Sequence, residues 1–132
     1  MGLTRKRARG RKESDSFAML PNAVTQHPAM TTLSPALRWV LVALVAQYKG
    51  GNNGALALPL STAKLFGITS TNTLNRGLRA LEDRGFIVQT FPGSYSPPKP
   101  ARYGITWKPM DATDYSRKGP PTSDFRGWSD AA

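Results

Sequence analysis

The clearest amphipathic pattern of the chain is a helical repeat in its second half. Three leucines recur at three- and four-residue spacing and therefore fall on one stripe of a helix; they are Leu74, Leu78 and Leu81. Ser70 is a suitable N-cap residue before this stripe, and Gly85 is a suitable C-terminal stop after it. The pattern predicts a helix from residue 71 to about residue 84, with one buried and one exposed face.

The leucine stripe fixes which residues form the opposite face of the same helix. That face holds asparagine and arginine, which make bidentate hydrogen bonds to adenine and guanine edges in DNA. Acidic residues appear only late, at Glu82 and Asp83, whereas ordinary solvated helix faces mix acids and bases throughout. A merely solvated face is the alternative interpretation. The candidate base-reading residues are Thr71, Asn72, Asn75, Arg76 and Arg79.

Shorter patterns on both sides of this helix predict a small α+β domain. A brief helix should end at Gly67, since glycine favours tight turns. Within it, Ala63, Leu65 and Phe66 are expected to face inward. After Gly85, FIVQT predicts a strand and RYGITW a returning strand with alternating apolar positions. Helix, turn, helix, strand, loop, strand is the layout of a winged helix-turn-helix, whose second helix enters the major groove of DNA.

The loop between these strands, FPGSYSPPKPA, is predicted to be the wing. Its four prolines stiffen it. Tyr95, Lys99 and Arg102 are expected to meet the DNA backbone there, although a plain hairpin turn is the alternative. Lys64, on the short helix before Gly67, is a further candidate for phosphate contact.

The longest apolar run belongs to another helical pattern, upstream of the domain's centre. Ser34 can cap it and Pro35 suits the first helical position, so a helix should run from residue 35 to about residue 48. Nearly every face is apolar, which indicates burial by the rest of the domain or by a second subunit, and a homodimer is therefore left open. The run ALAL at 55–58 predicts a short strand that pairs with the hairpin. A short helix between Pro21 and Pro28 brings the total to about four helices.

Charge divides the chain into three parts and favours a polyanionic partner. The chain has 132 residues and a formal net charge of +10. Residues 17–110, the predicted domain, carry nine basic and two acidic side chains. Residues 111–132 are rich in Pro, Ser, Asp and Gly, which predicts a disordered tail. A basic domain is typical of nucleic-acid binding, because each neutralised phosphate releases condensed counterions.

Residues 1–16 contain too few apolar side chains to form a core and are predicted to be a flexible arm. Its cations are expected to follow phosphates or to enter a minor groove; a solubilising tail is the alternative. These cations are Arg5, Lys6, Arg7, Arg9, Arg11 and Lys12. In the other tail, Phe125 and Trp128 have no predicted core around them. They form either a short motif for a protein partner or a weakly packed tail.

Several function classes find no support in the composition. The chain has no cysteine and one histidine, His27, so neither a metal site nor another cofactor is expected. With two adjacent acids in the predicted domain, we expect no enzyme. The longest apolar run is far shorter than the roughly 20 residues of a membrane span. A cytoplasmic protein, associated with the nucleoid when bound to DNA, is expected.

Segment 17–110 resembles the small winged-helix proteins of bacteria, phages and integrative elements. The similar motifs are FxxLP at 17–21, LSPxxR at 33–38, QYxGGNNGxL at 47–56, TLxRGLxxLExRGFI at 73–87 and YxITW at 103–107. One departure is the turn after Gly67, which is one residue longer than usual if Leu74 is the next inward residue. This resemblance implies either transcriptional regulators or the DNA-binding parts of replication initiators.

The predicted function is sequence-specific binding of double-stranded DNA by a transcriptional regulator of a bacterial, phage or mobile element. One alternative is an accessory or initiator factor for phage or plasmid replication or partition, which would use the same module together with a larger assembly. A winged helix that binds RNA or docks to protein is the other.

Overall fold

The computed structural model describes residues 17–129. Within them the chain forms five α-helices: α1 (Asn22–Thr25), α2 (Pro28–Thr31), α3 (Pro35–Val45), α4 (Leu60–Ala63) and α5 (Thr71–Asp83). The strands are β1 (Ile87–Phe91), β2 (Ser94–Tyr95), β3 (Pro98–Lys99) and β4 (Arg102–Ile105). Two 3-10 turns lie at Lys64–Phe66 and Asp124–Gly127. The predicted α+β class is confirmed, with one helix more than expected. The predicted arm, residues 1–16, lies outside the described residues.

The additional helix arises because Pro28 both ends α1 and begins α2. Proline lacks the N–H that would continue a helix, yet its fixed φ suits the first position of a new one. His27 caps α2, since its Nδ1 accepts a hydrogen bond from the Ala29 N–H at 3.0 Å. His27 therefore marks the start of α2 rather than the end of the single helix predicted between Pro21 and Pro28.

Helices α3 and α5 pack against each other and form the centre of the domain. On α5, Leu74 and Leu81 are buried as predicted, while Leu78 is half-buried. Gly77 lies between them and touches α3 so closely that a Cβ built there would be 2.5 Å from Val40 Cγ2. A real Cβ does not approach another carbon that closely, so the contact depends on glycine.

Helix α3 is shorter and less enclosed than its sequence predicted. It ends at Val45, and the side chain of Trp39 is 52% exposed. The inward positions Val40, Leu41 and Leu44 are buried. Helix α3 is thus a core element that leaves one aromatic side chain on the surface.

The two longer strands form an antiparallel ladder that covers one side of the helices. Ile87 pairs with Ile105, and the register shifts between Gln89 and Phe91. The strand predicted at 55–58 is reduced to one bridge, in which Leu56 and Tyr103 exchange backbone hydrogen bonds of 3.0 and 2.8 Å. Gly54, just before it, has a positive φ of 111°, which ends the regular pairing.

The loop before that bridge is fastened to the end of β4 by Asn53, which is fully buried. Its Nδ2 donates to the carbonyl oxygens of Ile105 and Pro109 at 3.0 and 2.9 Å, and its Oδ1 accepts from the Ile105 N–H at 2.7 Å. The Asn53 N–H donates to Asp111 Oδ2 at 2.8 Å. A buried amide is stable only when its polar atoms are paired, and here the fold pairs them.

The segment after residue 110 is ordered against the core, and the prediction of a disordered tail from residue 111 is wrong over the described part of that range. Thr122 and Ser123 donate backbone hydrogen bonds to the Thr106 carbonyl at 3.0 and 2.8 Å. Phe125 is fully buried and stacks on Phe86, with ring centroids 5.2 Å apart. Local composition favoured disorder, but one buried ring and a few backbone bonds outweigh it.

We expect Phe125→Ala to lower the free energy of unfolding by about 3–5 kcal/mol, because it removes a fully buried aromatic ring and leaves a cavity. Urea denaturation followed by circular dichroism measures this. Phe17→Ala is the control, since Phe17 is 78% exposed and a surface truncation should change stability by no more than about 0.5 kcal/mol. Equal midpoints for the two variants would show that the segment does not belong to the core.

Candidate nucleic-acid interface

The outer face of α5 carries Asn72, Arg76 and Arg79, and its flank carries Thr71 and Asn75, the five residues that the sequence singled out. Ser70 caps the helix, and its Oγ accepts a hydrogen bond from the Thr73 N–H at 3.2 Å. Because Leu74, Gly77 and Leu81 are buried on the inner side, the outer side is fixed by helix geometry. All five predicted base-reading side chains are exposed there: Thr71, Asn72, Asn75, Arg76 and Arg79.

These side chains are free of internal partners, unlike the arginines that the fold uses for packing. Within residues 17–129, the side chains of Arg76 and Arg79 make no hydrogen bond, ion pair or ring contact. Arg38, by contrast, donates from Nε to the Leu33 carbonyl at 2.8 Å and from Nη2 to the Thr31 carbonyl at 3.0 Å. The donors of Arg76 and Arg79 therefore remain available to a ligand.

Arg84, just past the end of α5, belongs to the structural group. Its Nη1 donates to the Ala29 carbonyl at 2.9 Å and to Thr32 Oγ1 at 2.6 Å. Its guanidinium carbon lies 4.4 Å from the ring centroid of Trp128. Arg84 thus ties the end of the candidate recognition helix to α2 and to the C-terminal segment. Trp128 is engaged in this contact, so it is not the unattached peptide motif that the sequence suggested.

Arg102 also differs from its predicted role, because the structure does not place it on the wing surface. It is half-buried at the start of β4, where Nη1 donates to the Ala55 carbonyl at 3.0 Å. Its guanidinium lies over the ring of Tyr115, 5.0 Å from the centroid, and its Nε is buried without a hydrogen bond among the described residues. Arg102 holds the loop and the C-terminal segment to the sheet.

The predicted wing is a narrow hairpin of β2 and β3, in which Ser94 pairs with Lys99 and Tyr95 with Pro98. Lys99 is exposed and Tyr95 is 98% exposed. The β2–β3 ladder consists of only these two residue pairs, in the loop that its four prolines were predicted to stiffen. With Arg102 turned inward, Lys99 is the cation that remains on this hairpin.

The base of the wing and the flank of α5 border the same cleft, of about 330 Å³. Thr71 and Asn75 line it from α5, and Pro100 and Ala101 line it from the wing. Tyr103 forms part of its floor, and burial raises the pKa of this phenol, with a smaller opposing effect from the hydrogen bond to Gln89. The helix face and the wing therefore lie on one continuous surface.

The helix before the turn presents Lys64 to solvent as expected, but Leu65 is 81% exposed rather than inward. Ala63 is fully buried, and a residue two positions later points to the opposite side of a helical turn. Ile68 takes the core position after Gly67, whose φ is 83°. The next inward residue after the glycine is therefore Ile68, not Leu74. The prediction of a longer turn, which assumed Leu74, is wrong.

Metal-ligating clusters and membrane-spanning helices were sought in the part of the chain that the structure describes. Residues 17–129 contain no group of three His, Asp or Glu side chains that could hold a metal ion. In the same range, no helix has the length and apolar character of a membrane span. Comparisons with protein-family models, curated proteins and solved structures find no match.

Some arginine side chains are hydrogen-bonded within the fold and others are not, and this difference can be tested by measuring stability. Arg84→Ala should lower the free energy of unfolding by about 1–3 kcal/mol, because it leaves the Ala29 carbonyl without its partner and removes the Trp128 contact. Arg76→Ala and Arg79→Ala should change it by less than about 0.5 kcal/mol, since these side chains are exposed and make no hydrogen bond or ion pair within the described residues. Thermal unfolding of the three variants provides the measurement. A loss in Arg76→Ala as large as that in Arg84→Ala would assign the outer face to the fold.

Proposed function

We propose that this protein binds double-stranded DNA in a sequence-specific manner through the outer face of α5, and acts as a transcriptional regulator. The observation that carries the proposal is the set of unpaired asparagine and arginine side chains on one exposed helix face. Asn72, Asn75, Arg76 and Arg79 would read base edges in the major groove, where such groups form bidentate pairs. A helix fits that groove, and these residues lie within the first nine positions after the Ser70 cap.

Exposed lysines on both sides of the helix support this proposal. Lys64 precedes α5 and Lys99 follows it on the wing, and both are exposed. Such contacts set the register and orientation of a protein on the duplex but carry no sequence information. In this proposal the two lysines position the module, and α5 selects the sequence.

The C-terminal segment does not favour the alternative of a replication or partition accessory factor. A free aromatic tail that could dock to a larger assembly would have distinguished that alternative. Phe125 is buried in the core and Trp128 stacks under Arg84. Deleting residues 120–132 would therefore unfold the domain rather than separate a partner contact from DNA binding. A direct competition between duplex DNA and RNA addresses the remaining alternative of an RNA-binding winged helix.

The base-reading role of α5 can be tested by single substitutions. We expect Arg76→Ala to weaken binding to a selected duplex by about 1–3 kcal/mol and to relax preference at one base pair, because one bidentate contact is lost. Arg79→Ala should act likewise at a different base pair. Binding selection from a random duplex library, followed by fluorescence anisotropy, measures both effects.

Arg117→Ala is the matched control for this experiment. Arg117 is an exposed cation on the C-terminal segment, so its loss changes the net charge by the same amount without touching α5. It should lower affinity for all sequences slightly and leave the selected motif intact. If Arg76→Ala and Arg79→Ala behave like Arg117→Ala, then α5 does not read the bases.

The basic arm should contribute affinity without specificity. Deleting residues 1–12 removes Arg5, Lys6, Arg7, Arg9, Arg11 and Lys12, so fewer counterions would be released on binding. Affinity for specific and random duplexes should fall by a similar factor, and the slope of log affinity against log salt should become shallower. An unchanged slope would mean that the arm does not touch DNA.

A further inference from the structure

The wing ends in a highly exposed aromatic side chain. The Tyr95 residue is 98% exposed, and its side chain makes no hydrogen bond or ring contact within residues 17–129. Single exposed apolar residues are common on protein surfaces. This one differs because it stands at the tip of a hairpin that is held rigid.

Several restraints fix the conformation of that hairpin. Ser94 Oγ donates to the Pro97 carbonyl across the turn at 2.6 Å, and Tyr95 pairs with Pro98 in the ladder. At the base, a Cβ on Gly93 would lie 3.0 Å from the Lys99 carbonyl oxygen, so the two arms are tightly apposed. The tip is thus preorganised, and little conformational entropy remains to be lost on binding.

The tip offers no cation for an ionic contact with phosphate. Residues 94–98 contain no charged side chain, and Arg102, the cation expected nearby, is held against Ala55 and Tyr115. What the tip offers is an aromatic ring beside the exposed rings of Pro97 and Pro98. Stacking on bases is the interaction that such a surface makes with nucleic acid.

We propose that Tyr95 is a wedge that enters the minor groove and inserts between two base pairs beside the sequence read by α5. This inference rests on the proposed DNA-binding function. The base of the wing borders the flank of α5, so a duplex held by that helix passes the hairpin. Apolar side chains that insert between base pairs do so from the minor groove and kink the DNA.

A wedge of this kind reads sequence without hydrogen bonds to the bases. Opening a base step is cheapest at pyrimidine–purine steps, which stack poorly, and costs more in stiff A-tracts. The protein should therefore prefer a flexible step at a fixed distance from the bases contacted by α5. Stacking of the Tyr95 ring on the opened step offsets the cost of unstacking it.

The test is binding selection from a random duplex library with four proteins: wild type, Tyr95→Ala, Tyr95→Phe and Lys99→Gln. Wild type and Tyr95→Phe should recover a core motif flanked by a pyrimidine–purine step, preferred about tenfold over an A-tract. Tyr95→Ala should recover the same core without the flanking step. Lys99→Gln should keep the step and show a shallower salt dependence, because it removes a phosphate contact.

Fluorescence resonance energy transfer between the ends of the selected duplex then reports bending. Wild type and Tyr95→Phe should shorten the end-to-end distance, and Tyr95→Ala should leave the duplex close to straight. A core motif with no flanking step, or equal bending by wild type and Tyr95→Ala, overturns the wedge while the proposed function stands. Recovery of no duplex motif by the wild type overturns both.

Discussion

The close approach of α3 and α5 at Gly77 is the constraint on which the exposed surface depends. Because Gly77 has no side chain, α5 packs directly against Val40 of α3, and the leucines on either side of Gly77 fill the adjacent space. A Cβ at this position would clash with Val40, so α5 could not keep this position on α3. The side chains proposed to read DNA make no hydrogen bond, ion pair or ring contact within the described residues, so the packing of the inner side of α5 sets the direction in which they point.

The remainder of the structure holds the two ends of that helix in place. At its start, the Ser70 cap and the turn at Gly67 fix the entry of the chain. At its end, Arg84 reaches α2 on one side and Trp128 on the other. Arg84, like Arg38 and Arg102, donates to backbone carbonyls, whereas the side chains of Arg76 and Arg79 on the outer face do not. Arginine therefore occurs in two distinct environments, one partly buried and hydrogen-bonded and the other exposed.

Periodic patterns predicted the parts of this fold that local geometry determines. The leucine stripe predicted both faces of α5, and alternating residues predicted β4. The errors came from contacts between distant residues, which periodicity cannot show. Asn53 and Asp111 are 58 positions apart in the sequence and are joined by a hydrogen bond. The ring of Phe125 packs against the rings of Phe86 and His27. The sequence around Phe125 is polar and rich in turn-forming residues, so nothing local indicated burial. The prediction for Leu65 was wrong for a different reason. It placed Ala63 and Leu65 on the same inward side, but residues two positions apart point to opposite sides of a helical turn.

The burial of Phe125 also bears on the order in which the domain can be completed during synthesis. A nascent chain that has emerged only to residue 110 contains all of α5 and the wing, but not the ring that stacks on Phe86 or the indole that lies against Arg84. Domains generally fold as units once their parts are present. The contacts of Phe125 and Trp128 with the rest of the domain are therefore completed late, after the segment that follows the sheet has left the ribosome. Helix α5 is translated, and can pack against α3, well before these last contacts form.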